Sequence, residues 1–301
     1  MITWLPKHKQ GVVYAISSGL CYGLIGYFGV TLMNLGLSVF NMLFWRFAIA
    51  TVCVLMVLLS TYKNGSRVSI ASLNVLVYGI VFYGTGTIAY FMASQHIGTG
   101  LSMVIFFSFP AMVVLLNIIV YKTKISMLYC AAFSTIIAGM ICLADKQAVS
   151  FNVLGIALGL LSAFCYACYI FSSKRIMLSP LVATLMVCAG CMTTCLVAAM
   201  MDSSLHIPTG AYTWLCIISM GLVCTALPIL LLLKALQYIS SEKASMLSVL
   251  EPVFVVIFGI VLLDEQVTNL QMLGIVVLLS GALMTLFPDK AKIAKLEDYI
   301  N

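Results

Sequence analysis

The chain has 301 residues, of which 63% are hydrophobic and only 8% are charged, whereas a typical soluble domain has about 25% charged residues. So much apolar surface excludes an ordinary soluble domain and makes the lipid bilayer the expected partner. The net charge of +6 therefore indicates the cytosolic side of a membrane protein rather than a surface for nucleic acid.

Ten apolar segments follow one another along the chain. Each is close to the length of about 17–25 residues that crosses a bilayer as a helix. Helices are expected because lipid offers the backbone no hydrogen bonds. We predict spans at 11–33, 39–60, 70–94, 100–120, 126–143, 154–174, 180–200, 211–236, 243–263 and 269–287. The segment before Gly11 is short and polar, and we expect no removable signal peptide.

The sequence repeats itself. At an offset of 142 residues, ASQHIGTGLSMVIFFSFP from residue 93 aligns with ALQYISSEKASMLSVLEP from residue 235, and Pro110 meets Pro252. At an offset of 144, GVVYAISSGLCYG from Gly11 aligns with GIALGLLSAFCYA from Gly155. Because each half has five spans, an odd number, the second half enters the membrane from the side opposite to the first, and the two repeats are inverted. We predict an all-α integral membrane protein of ten transmembrane helices in two inverted five-helix repeats, residues 1–148 and 149–301, forming one membrane domain.

The basic residues predict the orientation. If both termini are cytosolic, 13 of the 15 Lys and Arg residues fall in cytosolic segments, Lys146 falls in an outer loop and Arg46 lies within a span. The loop YKTKI after the fourth span is basic, while its partner DEQVT after the ninth span is acidic. The positive-inside rule therefore places both termini in the cytosol. We expect a multi-pass protein of the bacterial inner membrane.

No motif indicates an enzyme. The sequence contains no Walker loop, HExxH or GxSxG, so we expect no cofactor and no metal, and transport would depend on gradients or on a partner's energy. The eleven cysteines all fall in apolar spans. Cys188, Cys191 and Cys195 share a helical face, which leaves a metal or redox site open. Helix packing is the favoured interpretation because no His or acid lies nearby in sequence.

Arg46 and Glu251 are the charges that lie deep in the predicted spans. Such a charge costs about 2.5–3.5 kcal/mol on insertion scales, so it usually faces a cavity or a partner. Two interpretations remain open. The residues either pair with each other across the halves, or they line a central cavity and hold substrate groups.

A polar stripe lies on the third span. Tyr83, Thr87, Tyr90 and Ser94 are spaced to share one helical face, whereas the equivalent positions of the eighth span are mostly apolar. We predict that the stripe lines the cavity, the alternative being that its tyrosines anchor the helix at a membrane interface. Trp45 shares a helical face with Asn41 at i, i+4, and Ser248 forms a similar polar strip with Ser245 and Glu251 on the ninth span. The predicted substrate-binding residues are Arg46, Trp45, Tyr83, Tyr90, Glu251 and Ser248.

Four motifs resemble the EamA branch of the drug/metabolite transporter superfamily. They are WRF at 45–47, LEPVF at 250–254, DEQVTNLQMLG at 264–274 and LSGALM at 279–284. The resemblance covers nearly the whole chain and implies a ten-helix inverted-repeat fold that moves small metabolites, often amino acids or drugs. The first half departs from the pattern because Phe109 stands at the position that matches Glu251.

We therefore predict an alternating-access carrier that exports amino acids or similar small metabolites. In this hypothesis Arg46 receives a carboxylate, Tyr83, Tyr90 and Trp45 contact the apolar part, and Glu251 receives an amine or tunes a gate. The alternatives are uptake of a nucleoside-like cofactor metabolite, export of cationic drugs coupled to protons through Glu251, and a membrane scaffold that transports nothing. Protons are thus a candidate partner and nucleic acid is not. The sequence leaves the oligomeric state open.

The orientation can be tested by labelling. A Ser203→Cys variant should react with a membrane-impermeant thiol reagent added outside intact cells, and a Ser66→Cys variant should not. The native protein is the control for background labelling, and this should be low because its own cysteines lie in apolar spans. Reversed labelling would overturn the orientation derived from the basic residues.

Overall fold

The computed structural model describes residues 6–61, 70–122, 127–143, 152–176, 178–263 and 268–284. Regular structure in these ranges is helical throughout and includes no strand. We number ten apolar helical segments, some of them interrupted, in chain order. They are α1 (Lys7–Gly23 and Ile25–Asn34), α2 (Val39–Thr61), α3 (Ile70–Ile97), α4 (Thr99–Phe106 and Phe109–Tyr121), α5 (Met127–Leu143), α6 (Val153–Ser173), α7 (Pro180–Met201), α8 (Ala211–Tyr238), α9 (Ser241–Ser248 and Glu251–Leu263) and α10 (Asn269–Met284).

Eight of these segments are long and apolar enough to cross a membrane, and the shorter ones are α5 and α10. The chain is thus an all-helical, multi-pass membrane protein. Several predicted features lie outside the described residues. They are the boundary at residue 148, the loop residues Lys63, Ser66, Arg67, Lys124 and Lys146, and the C-terminal lysines.

The repeat produces the same hydrogen bond twice. Ser18 Oγ donates to the Pro228 carbonyl at 2.8 Å, joining α1 to α8. Ser162 Oγ donates to the Gly86 carbonyl at 2.7 Å, joining α6 to α3. Ser162 follows Ser18 by 144 residues, and Pro228 follows Gly86 by 142. The first helix of each half therefore packs on the third helix of the other half.

Glycines allow these pairs to approach closely. A Cβ on Gly11 would lie 2.9 Å from Tyr238 Cβ, and one on Gly155 would lie 2.8 Å from His96 Cβ. The start of α1 thus meets the end of α8. The end of α6 lies at the same place, because Lys174, which follows α6, binds carbonyls at the end of α8. Helix α6 therefore runs opposite to α1, as an inverted repeat requires.

Basic side chains gather where α1 begins. Lys243 Nζ lies 2.9 Å from His8 Nε2, and Arg175 Nε donates to the Tyr121 hydroxyl at 2.6 Å. We call this end of the bundle, which also holds Lys174, the basic end. The other end, where Trp45 Nε1 donates to the His206 carbonyl, is the opposite end.

Several helices are irregular at mid-length. Helices α4 and α9 break at 107–108 and 249–250, just before the repeat-matched Pro110 and Pro252, which have no N–H to continue the preceding turn. Helices α3 and α8 widen into π-helical turns at Gly79–Gly84 and Leu222–Ala226, again at equivalent places. Helix α1 breaks at Leu24 whereas α6 is continuous. Pro228 lies in regular helix just after the π-helical turn of α8.

Side chains of α7 satisfy the backbone at the π-helical turn of α3. Cys191 Sγ donates to the Gly79 carbonyl at 3.5 Å, and Thr194 Oγ1 donates to the Ile80 carbonyl at 3.0 Å. A carbonyl freed inside a lipid bilayer needs such a partner. Cys188, Cys191 and Cys195 are all fully buried, and within the described ranges no group of three or more potential ligands is placed to hold a metal. These contacts favour the packing interpretation of the cysteines.

Candidate functional site

A cavity of about 550 Å³ lies among α1, α3, α4 and α9, with Val39 and Arg46 from α2 and Tyr166 from α6 also in its wall. Its deep part includes Arg46, Tyr83 and Glu251, and its wall extends to Met33 and Gln95 at the opposite end. The breaks in α1, α4 and α9 all border it, since Gly23, Ile25, Phe107 and Glu251 are wall residues. Irregular backbone at membrane depth is found where it lines a cavity.

Arg46 is anchored to the π-helical turn of α8. Its Nε donates to Thr225 Oγ1 at 2.6 Å, and its Nη2 donates to the Cys224 carbonyl at 3.4 Å. Thr225 Oγ1 in turn donates to the Met220 carbonyl at 2.9 Å, a contact across the widened turn. The guanidinium also lies 5.1 Å from the centre of the Phe47 ring. A guanidinium has five N–H donors, so donors remain for a ligand in the cavity.

Glu251 is placed differently. It is the first residue of the second segment of α9, where the positive end of a helix dipole stabilises a negative charge. Among the described residues its carboxylate has no hydrogen-bond partner, and it makes no ion pair with Arg46 within 4.0 Å. The two charges therefore share a cavity without neutralising each other by direct contact.

Each half of the chain contributes one of the two charges. Gly79 packs on the Val187 carbonyl, and its repeat equivalent Gly221 packs on the Arg46 carbonyl. Val187 is therefore the residue of the second half that is equivalent to Arg46. Phe109 occupies in the first half the place of Glu251. The framework is repeated, but the charges are not.

Aromatic rings form most of the deep wall. The hydroxyls of Tyr22 and Tyr83 are 2.9 Å apart. The ring of Tyr166 lies 5.6 Å from that of Tyr83 and 4.8 Å from that of Phe109. The ring of Tyr90 is 5.3 Å from that of Phe106. These edge-to-face contacts fix the rings, which gives the cavity an apolar wall with hydroxyl groups at selected points.

The stripe predicted on α3 lies on this wall. Tyr83, Thr87, Tyr90 and Ser94 all line the cavity. Thr87 and Ser94 each donate to a carbonyl one turn earlier in α3, so the tyrosines are the residues of the stripe that offer rings and hydroxyls to a ligand. That any of these residues binds substrate stays a prediction.

Two segments of the chain, residues 9–144 and 153–287, match the model of the EamA-like transporter family. The chain belongs to this family. The resemblance noted from the motifs is thereby confirmed, and the protein is a membrane transporter of small molecules by family rather than an enzyme.

The fold of this transporter also occurs in solved structures. One of them, titled "Crystal structure of protein", superposes with a TM-score of 0.78 over 92% of this chain and 96% of that chain. The two sequences are 16% identical, so the likeness concerns the fold alone. Among curated proteins none matches the chain.

The transporter has a second, smaller cavity of about 180 Å³ at the basic end, between α6, α7 and α8. Its wall is equivalent by the repeat to part of the large cavity. Ser173, Lys174, Leu236 and Gln237 line the small cavity, and their equivalents Gly29, Val30, Ser94 and Gln95 line the large one. The same cleft is thus wide at the opposite end of the molecule and narrow at the basic end.

Two predicted site residues lie away from the cavity wall. Trp45 donates Nε1 to the His206 carbonyl at 3.0 Å and packs edge-on against Trp214, with ring centres 5.1 Å apart. Ser248 is buried and donates to the Ala244 carbonyl within α9. Both side chains are occupied by structural contacts, so this conformation offers no path for either to touch a ligand in the large cavity.

Tyr22, Tyr166 and Thr225 are absent from the predicted substrate-binding set. Tyr22 and Tyr166 form a repeat-matched pair, and both line the cavity. Thr225 is the repeat equivalent of Tyr83 and supports Arg46. A hydroxyl conserved between the two halves at the same register was the signal for it.

The arrangement at Arg46 predicts the outcome of a double substitution. If Arg46 served only to neutralise Glu251, Arg46→Gln combined with Glu251→Gln would remove both buried charges and restore function. Because Arg46 is anchored to α8 instead, we expect the double variant to insert normally and to lose transport more than tenfold, since the charge-assisted contact with substrate is gone. Uptake into proteoliposomes, normalised to inserted protein, measures this. Near-native transport would leave Arg46 a structural charge.

A second prediction compares repeat-equivalent positions. Tyr90 lines the cavity whereas its equivalent Leu232 is fully buried. Tyr90→Ala should lower transport about tenfold, which corresponds to about 1.4 kcal/mol, with little loss of thermal stability. Leu232→Ala should destabilise the fold by about 2–5 kcal/mol while the protein that remains folded transports normally. Equal transport losses per folded molecule would contradict an asymmetric cavity wall.

Proposed function

We propose that this transporter exports amino acids or similar small metabolites across a bacterial inner membrane by alternating access. The observation that carries the proposal is the pair of opposite charges on one cavity wall. Arg46 offers N–H donors and Glu251 offers an unpartnered carboxylate. A substrate with a carboxylate and an ammonium group would satisfy both.

The rest of the cavity fits the remainder of such a molecule. Its volume of about 550 Å³ lies in the range of about 300–1,000 Å³ that is usual for small-molecule sites. The rings of Tyr83, Tyr90, Phe106 and Tyr166 supply apolar contact area around the charges. In the proposed binding mode, Arg46 receives the carboxylate, Glu251 receives the amine, and the rings contact the side chain.

The two unequal cavities support alternating access. Inverted repeats can exchange conformations, so that a cleft open on one side closes as its equivalent opens on the other. The large cavity at the opposite end and the small cavity at the basic end have equivalent walls. If the basic end is cytosolic, as the positive-inside rule indicates, the large cavity faces outward.

The proposed topology includes α5 and α10 as spans. Their 17 and 16 residues approach the lower limit of about 17 for a crossing helix. They pack closely on each other, because a Cβ on Gly139 would lie 2.7 Å from the Leu278 nitrogen. Ten spans with both termini in the cytosol would follow.

A second candidate is export of cationic compounds coupled to protons through Glu251. It is favoured by the absence of a hydrogen-bond partner for this carboxylate among the described residues. Such an acid can bind either a proton or a cation. In this case transport would depend on Glu251 and pH, and Arg46 would repel the substrate.

Metabolite profiling distinguishes the candidates. Cells that make the native protein, the Arg46→Gln variant or no transporter are compared for solutes that accumulate in the medium. We expect amino-acid-like solutes to be enriched several-fold only with the native protein. Purified protein in proteoliposomes should then exchange the labelled solute.

Two outcomes would contradict this proposal. Enrichment of cations without a carboxylate, lost in Glu251→Gln but kept in Arg46→Gln, would favour the second candidate. Depletion of a solute from the medium, rather than enrichment, would indicate uptake.

A further inference from the structure

Lys174 bridges α6 and α8 at the basic end. It follows the last residue of α6, and its Nζ donates to the carbonyls of Leu236 and Ile239 at 2.5 and 2.8 Å. These carbonyls belong to the end of α8, where the last C=O groups of a helix have no partner within the helix. The negative end of the helix dipole also attracts a cation there. One side chain thus ties the end of α6 to the end of α8.

The equivalent contact is missing at the opposite end. Lys174 corresponds to Val30 in α1, and Leu236 corresponds to Ser94 in α3. Val30 and Ser94 both line the large cavity, which separates the two helices. Val30 has no charge with which to bind the end of α3, and it is 45% exposed. Among the described residues, this cationic tie is therefore present at the basic end and has no equivalent at the opposite end.

Helix α1 also differs from α6 in its freedom to bend. It breaks at Leu24, and its segment toward the opposite end carries Gly26 and Gly29 where α6 has Ile170 and Ser173. A Cβ on Gly29 would meet nothing within 4 Å. At the opposite end, where the lysine contact is missing, α1 can therefore bend more readily than α6 can at the basic end.

We propose that Lys174 is a latch that holds the basic end closed and biases the resting transporter toward the conformation open at the opposite end. The proposal rests on alternating access, and adds to it which end is closed at rest and by which group. The bond requires only Lys174 and backbone carbonyls, so the substitution of one side chain should shift the balance of conformations.

Hydrogen–deuterium exchange of the full-length protein in lipid nanodiscs tests the latch without a known substrate. In Lys174→Met, peptides covering 236–240 should exchange about 2- to 5-fold faster, the range expected for one charge at a helix end. Peptides covering Ile25–Asn34 should exchange more slowly, because opening at one end closes the other. Lys9→Met removes the same charge from an exposed residue at the basic end and should change neither region.

A mirror experiment places a latch at the other end. Val30→Lys brings an ammonium to the position equivalent to Lys174, from which it can bind the last carbonyls of α3. This variant should slow exchange over Ile25–Asn34 and speed it over 236–240. Val30→Met, which has similar length and no charge, is the control and should behave like the native protein.

The outcomes separate a latch from a local helix cap. Faster exchange at 236–240 in Lys174→Met, with Ile25–Asn34 unchanged, would overturn the latch and leave Lys174 a cap of α8. No change in either region would overturn it as well. Failure of the proposed transport function would be seen in the native protein, as the absence of any exported solute, and is thereby distinguishable from failure of the latch.

Discussion

A backbone that departs from the α-helix inside a bilayer must find its hydrogen bonds in the protein or in a water-filled space, and this constraint organises the molecule. Cys191 and Thr194 donate hydrogen bonds to carbonyls of the π-helical turn of α3, and Thr225 of the π-helical turn of α8 donates to the Met220 carbonyl. The breaks in α1, α4 and α9 border the central cavity. The places where regular structure fails are therefore the places where polar groups meet. Arg46 is an instance, since it donates to a carbonyl and a hydroxyl of a π-helical turn.

Much of the framework could be predicted from the sequence because it depends on composition and periodicity. Apolar length located the helices, the two offsets located the repeat, and the spacing of Tyr83, Thr87, Tyr90 and Ser94 identified residues that share the cavity wall. The π-helical turn of α3 and the break at Leu24 carry no such mark, because no proline lies within or beside them, and Pro228 lies just after the π-helical turn of α8 rather than in it. Trp45 was expected at the cavity because it shares a helical face with Asn41. That face meets His206, which contacts both side chains, and the Trp45 ring packs on Trp214.

The packing of the helices follows the repeat, whereas several charged side chains do not. Contacts that hold the halves together, such as those of Ser18 and Ser162, occur in pairs. The residues that distinguish the halves occur once: Arg46, Glu251 and Lys174. Under the proposed alternating access, a paired framework would give the molecule two equivalent conformations, and single side chains would make these conformations unequal in energy. Binding and gating can thus be adjusted at a few positions without altering the packing of the helices.

The distribution of Arg46 and Glu251 between the two halves bears on how such a protein can be assembled. Two copies of the first half would bring two guanidinium groups toward one cavity, and two copies of the second half would bring two carboxylates, so either homodimer would suffer mutual repulsion in apolar surroundings. Only a union of unlike halves yields an electrically balanced centre. Covalent fusion enforces that union at a fixed stoichiometry of one to one, which is what the proposed binding of a substrate with both charges would require.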